Sequence, residues 1–100
     1  MATLILNGEE EFTFTDYYRY INFDNETVND TATVNNISGN DAGARLYELA
    51  QAPITSLQIK SNSNNIIYTL ENLNGSITNI YEGYNGGETM SANLNLKFNT

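Results

Sequence analysis

The sequence predicts a mostly β protein, a single-domain antiparallel β-sandwich or flattened barrel over residues 1–100, with about eight short strands and one short α-helix near residues 40–51. Three observations predict it. Apolar and polar residues alternate at period two along most of the chain. Turns rich in Asn, Gly and Ser separate the alternating runs, and the spacing turns helical only once, just before Pro53. At 100 residues, with 40% apolar and 11% aromatic residues, there is material for one modest core.

Leu4 and Leu6 alternate with Thr3 and Ile5, and Asn7-Gly8 supplies the pair a type I′ turn prefers. Phe12 and Phe14 alternate with Glu11, Thr13 and Thr15, so the chain opens on a hairpin. Tyr17 to Phe23 is a β-prone aromatic run with faces Tyr17/Arg19/Ile21/Phe23 and Tyr18/Tyr20/Asn22. Aromatic residues on both faces imply a strand covered twice or an edge strand feeding an interface. Asp24-Asn25-Glu26-Thr27 turns the chain, and Val28, Ala32 and Val34 then share a face with Asp30 among them, which predicts a weaker fourth strand.

Ser38 or Asn40 offers a helix N-cap, and Ala42, Leu46, Leu49 and Ala50 follow at helical spacing. Pro53 forbids continuation, so the helix should end near Gln51. Leu57 and Ile59 begin a second hairpin whose loop, Ser61 to Asn65, returns into residues 66–71. The run Leu73, Ile77, Ile80 and Tyr81 slips parity between Ile77 and Ile80, the mark of a bulge or a two-sided strand. After the glycine-rich turn at 83–87, Ala92, Leu94, Leu96 and Phe98 oppose Ser91, Asn93, Asn95 and Lys97 in the clearest strand of the chain.

Absences bound the function. With no Cys and no His, disulfides, thiolate nucleophiles, imidazole bases and most transition-metal ligand sets are missing. Asp16, Asp24, Glu26, Asp30 and Asp41 lie in or beside turns, but their spacing selects no acid–base pair. Asp24, Asn25, Glu26 and Asp30 place oxygen donors close together without the glycine and closing Glu of a calcium loop. Neither Lys60 nor Lys97 stands in a Ser-x-x-Lys pattern, and the glycine-rich turn lacks the Lys-Ser/Thr of a phosphate loop. The expectation is a non-enzyme with no catalytic residue, metal or cofactor.

The formal net charge is −8, and residues 1–50 hold nine acids against two bases. Such a surface repels nucleic-acid phosphates and anionic lipid, so neither direct nucleic-acid nor membrane binding is expected. The first residues lack a basic region and a long enough apolar run for a signal peptide, and no stretch approaches the roughly 18 apolar residues of a membrane span. Glu9, Glu10, Glu11, Asp16, Asp24, Glu26 and Asp30 either solubilise a face or form an acidic patch attracting a basic protein. Tyr17, Tyr18 and Tyr20 with Phe23, and Tyr81 and Tyr84 around the glycine-rich turn, are the interface candidates, because tyrosine joins apolar area to a polar tip.

The Met-Ala-Thr-Leu-Ile-Leu-Asn-Gly opening and the strand Phe-Thr-Phe-Thr-Asp-Tyr set a style of alternating Asn, Ser and Thr with short loops. The later segments Ile-Thr-Ser-Leu-Gln-Ile-Lys, Asn-Ile-Ile-Tyr-Thr-Leu and Asn-Leu-Asn-Leu-Lys-Phe continue it. Over most of its length the chain thus resembles the small β-rich structural proteins of tailed phages and prophages. The resemblance implies a capsid-decorating, head–tail or tail component in many copies, located in the virion or host cytoplasm, whose partners are itself or other virion proteins. A second reading is a small acidic phage-encoded inhibitor of a host defence nuclease, mimicking nucleic acid before a basic protein. A third is a carbohydrate-binding adhesion module using exposed Tyr and Asn.

Overall fold

Period-two alternation turns into strands throughout the computed structural model, which describes residues 1–99. They are β1 (Ala2–Leu6), β2 (Glu10–Phe14), β3 (Asp16–Asp24), β4 (Thr27–Ser38), β5 (Leu57–Lys60), β6 (Ile66–Leu70), β7 (Gly75–Gly83) and β8 (Ser91–Phe98), with helix α1 (Ala42–Leu49) between β4 and β5. All pairings are antiparallel, in the order β6-β5-β1-β2-β4-β8-β7, and β3 adds to β4. The expected mostly β architecture with one short helix is what forms.

The sheet closes over a single core. Leu4, Leu6, Phe12, Phe14, Leu57 and Ile59 from β1, β2 and β5 pack in one cluster with Ala32, Val34, Ile37, Leu94, Leu96 and Phe98 from β4 and β8. Far along the chain, Ile54 and Gly75 exchange two backbone hydrogen bonds of 2.8 and 3.0 Å, joining the segment before β5 to the start of β7. Gly75 is required there, since a Cβ would sit 3.1 Å from both the Ile54 carbonyl oxygen and the Phe98 ring.

Several local expectations hold. In the first turn Asn7 and Gly8 have φ of 56° and 71°, as a type I′ turn demands, although pairing resumes at Leu6↔Glu10 and leaves Glu9 as an extra residue. The parity slip in β7 is a bulge between Ile77 and Asn79. Strand β8 alternates as read, with Ala92, Leu94, Leu96 and Phe98 inward.

Two expectations are corrected. The fourth strand is the longest, 12 residues, and pairs with β2, β3 and β8. Its polar residues do not weaken it, because Thr31 and Thr33 face outward on a central strand, a position β-branched residues fill well. Asp41 rather than Ser38 or Asn40 occupies the N-cap of α1, and its side chain makes no capping bond. Ser38 ends β4, and Asn40 Oδ1 instead accepts the Met90 N–H at 2.9 Å. The helix lies against β7 and β8, while Arg45 reaches β2, donating to Glu10 Oε2 at 2.7 and 3.1 Å over the Phe12 ring.

One feature positions the site. β2 and β3 run on through Thr15 as one bent line, but β1 accompanies only β2, and β8 stops at Phe98 opposite Asp30. Beyond that row β3 and β4 continue as a two-stranded arm whose residues 20–29 are all exposed. The molecule accordingly measures 46 Å in its long direction against 27 and 22 Å across.

Candidate functional site

At the base of the arm two charges occupy positions where strand alternation would place apolar residues. Arg19 lies on the inner face of β3 and Asp30 on that of β4, one row apart. Arg19 donates to Asp30 through Nε (2.9 Å) and Nη2 (2.6 Å) in a two-pronged ion pair, and Asp30 is only 3% exposed. The remaining Nη1 donates to the Tyr68 hydroxyl at 3.1 Å, tying β3 to β6, and the guanidinium lies 5.4 Å from the centre of the Phe98 ring. The Asp30 carboxylate holds Arg19 firmly protonated, against a smaller opposing effect of burial.

Tyr17, one turn of the pleat earlier, packs tilted on Tyr68 with ring centres 5.5 Å apart. Its hydroxyl is buried without a hydrogen-bond partner. Burial first, and the adjacent Tyr68 second, push the Tyr17 phenol well above its usual pKa. Above these groups opens a groove of about 610 Å³ lined by Phe14, Tyr17, Arg19, Ile59, Ile67 and Tyr68 among others. It lies at the Ala2 end of β1, alongside the edge of β3 that no described strand covers.

On the arm the inner face continues with Ile21, Phe23 and Val28, exposed by 41%, 76% and 44%. The outer face carries Tyr18 and Tyr20 beside Thr33 and Thr31, then Asn95 and Lys97 of β8, with Tyr81 further across on β7. Tyr18, Tyr20 and Tyr81 are therefore brought to one broad face of amide, hydroxyl and phenol groups, while Tyr17 and Phe23 lie on the other. Tyr84 stands apart in the glycine-rich turn, where its hydroxyl donates to the Gly87 carbonyl at 2.8 Å.

The acidic candidates do not form one patch. Glu9, Glu10 and Glu11 sit at the β1–β2 turn and Asp24 and Glu26 at the tip of the arm, about 45 Å apart along the strand path at ~3.3 Å per residue. Asp16 begins β3 midway between them. Glu10 is engaged by Arg45 and Asp30 is buried under Arg19, so neither is a free surface charge. Among the described residues no three Asp or Glu side chains are grouped to hold a metal ion, and no helix is long and apolar enough to cross a membrane.

Of the Arg19–Asp30–Tyr68 cluster the sequence singles out only Asp30, as one of the acids. The cluster's signal was available: a charge on each of two neighbouring strands falls on the apolar parity, Arg19 with Tyr17 and Ile21, Asp30 with Val28 and Ala32. Compared with known proteins, the chain matches no family model, no curated protein and no solved structure.

Proposed function

We propose that the chain is a non-enzymatic structural subunit of a bacteriophage virion, a capsid-decorating, head–tail or tail component present in many copies, which assembles through the β3–β4 arm and the face beside it. One observation carries the reading. The arm holds Ile21, Phe23 and Val28 away from the core, where none of the described residues covers them. Those three side chains expose roughly 290 Å² of apolar surface, about 7 kcal/mol of gross hydrophobic free energy at ~25 cal/mol/Å² for whatever surface covers them. Folding alone does not require this, since a tight turn at Asp30 would have closed the same core. Large side chains exposed together on a projecting element favour a partner surface over a solvated one.

The groups around the arm agree with contact rather than chemistry. Tyr18, Tyr20 and the Asn and Thr rows beside them provide polar contacts without a nucleophile or a paired acid and base. The nuclease-inhibitor reading is less well supported, because the acids are divided between the two ends of the β2–β3 line. Size-exclusion chromatography with light scattering, then electron microscopy at high concentration and co-sedimentation with phage particles, tests the proposal. A protein that stays monomeric throughout and binds no particle would sink it.

A further inference from the structure

We infer that β3 is a self-pairing edge: two copies of this chain join β3 to β3 antiparallel about a two-fold axis at Tyr20, forming one sheet continuous across both arms. The inference deepens the assembly reading and rests on it only for the premise that the arm is covered by protein. β3 offers nine residues hydrogen-bonded on one side only. Full overlap of Asp16–Asp24 with its own copy is centred on Tyr20, and that register has a specific outcome. It sets Phe23 of each chain beside Tyr17 of the partner subunit and Ile21 beside Arg19 of the partner subunit, on the inner face.

The most exposed apolar side chain of the arm is thereby delivered to the mouth of the groove that no described residue fills. Two separate anomalies, a bare Phe and an unfilled apolar groove, are resolved by one symmetry operation. Phe23, Tyr20, Tyr18, Ile21 and Ile67 together expose roughly 600 Å² per protomer, so a pairing that covered them fully would bury roughly 1,200 Å², the lower bound of a stable interface. The same register places Asp16 opposite Asp24 of the partner subunit at both ends, within two chains of net charge −8. Salt must therefore tighten the pair, whereas it would weaken a complex with a basic partner.

The chain contains no cysteine, which makes the test direct. Tyr20→Cys should cross-link to a disulfide dimer under mild oxidation, because antiparallel neighbours stand about 4.5–5.5 Å apart at Cα, within disulfide reach. Tyr81→Cys, also exposed on the same outer face, should not. In sedimentation velocity the wild type should dimerise roughly tenfold more tightly at 0.5 M than at 0.05 M NaCl. Asp24→Asn should recover most of that gain at low salt, and Phe23→Ser should abolish the dimer while keeping the wild-type circular dichroism spectrum. A dimer that forms without preferential Tyr20→Cys cross-linking overturns this pairing and leaves the assembly reading standing. A monomer at both salts overturns it as well, and particle binding then decides the assembly reading separately. Association strengthened by low salt also refutes the register.

Discussion

Replacing Arg19 by Met should be the most damaging single change on the surface side of the core. Met keeps the length and apolar stem of the side chain but removes both bonds to Asp30, at 2.6 and 2.9 Å, leaving a carboxylate that is 3% exposed. Removing one partner of a buried pair costs about 3–5 kcal/mol, and the 26% exposure of the Arg19 side chain places this pair at the low end, about 3 kcal/mol. For a chain of this size that lowers Tm by roughly 12–24 °C. The double variant Arg19→Met with Asp30→Val removes both charges and lets the inner face pack as apolar strand, so it should lose less than about 1 kcal/mol and expose a coupling of about 2 kcal/mol or more. Urea unfolding monitored by circular dichroism, with the slope m unchanged between variants, measures all of these. If Arg19→Met alone costs under about 1 kcal/mol and the double variant equals the sum of the singles, Asp30 is not held by Arg19.

Tyr17→Phe removes a buried hydroxyl without a partner and should be neutral or stabilising by about 1 kcal/mol in the same urea assay. Because folded Tyr17 holds its proton while the unfolded phenol titrates at 10.0, stability should be unaffected by this group below pH 10. Above that pH it should fall by up to ~1.4 kcal/mol per pH unit, a slope that Tyr17→Phe diminishes. Gly75→Ala should cost about 1–3 kcal/mol, since the new Cβ meets a carbonyl oxygen and a ring at 3.1 Å; thermal melts decide it. Asn7 accepts from the Thr55 N–H at 2.7 Å while sitting at φ 56°, so Asn7→Gly should cost about 1 kcal/mol and Asn7→Ala, which also loses the left-handed conformation, about 2.

Most of the fold was legible because alternation in a half-buried sheet leaves its record in every second residue. β8 and the first hairpin could be read without help, and even the bulge in β7 appeared as a slip in parity. β4 looks weak in the sequence because a central strand with a polar outer face and small inner residues, Ala32 among them, has little local hydrophobicity of its own. Its standing comes from three neighbours distant in sequence. Of the site, the sequence singles out Tyr17, Phe23 and Asp30 but neither Arg19 nor Tyr68, and none of the geometry that joins them. That Tyr18 and Tyr20 part from Tyr17 and Phe23 followed from period two alone. That Asp30 is buried under Arg19, and that Tyr68 arrives from 49 residues beyond Arg19, depends on sheet order, which no run of neighbouring residues encodes.

The three-fold pairing of β4 has a kinetic consequence. The β3–β4 ribbon is made of contacts close in sequence and can zip from the Asn25–Glu26 turn with little loop entropy, whereas the Ile54–Gly75 closure and the β1–β5 pairing must wait for long loops to find their ends. The ribbon should therefore template β8, and β4 amides between Asp30 and Ile37 should be the slowest in the chain to exchange with deuterium. Amides at residues 21–29 of the same hairpin should exchange within the first seconds in the lone protomer. One continuous hairpin would then hold both the most and the least protected backbone in the protein, with the boundary at the Arg19–Asp30 pair.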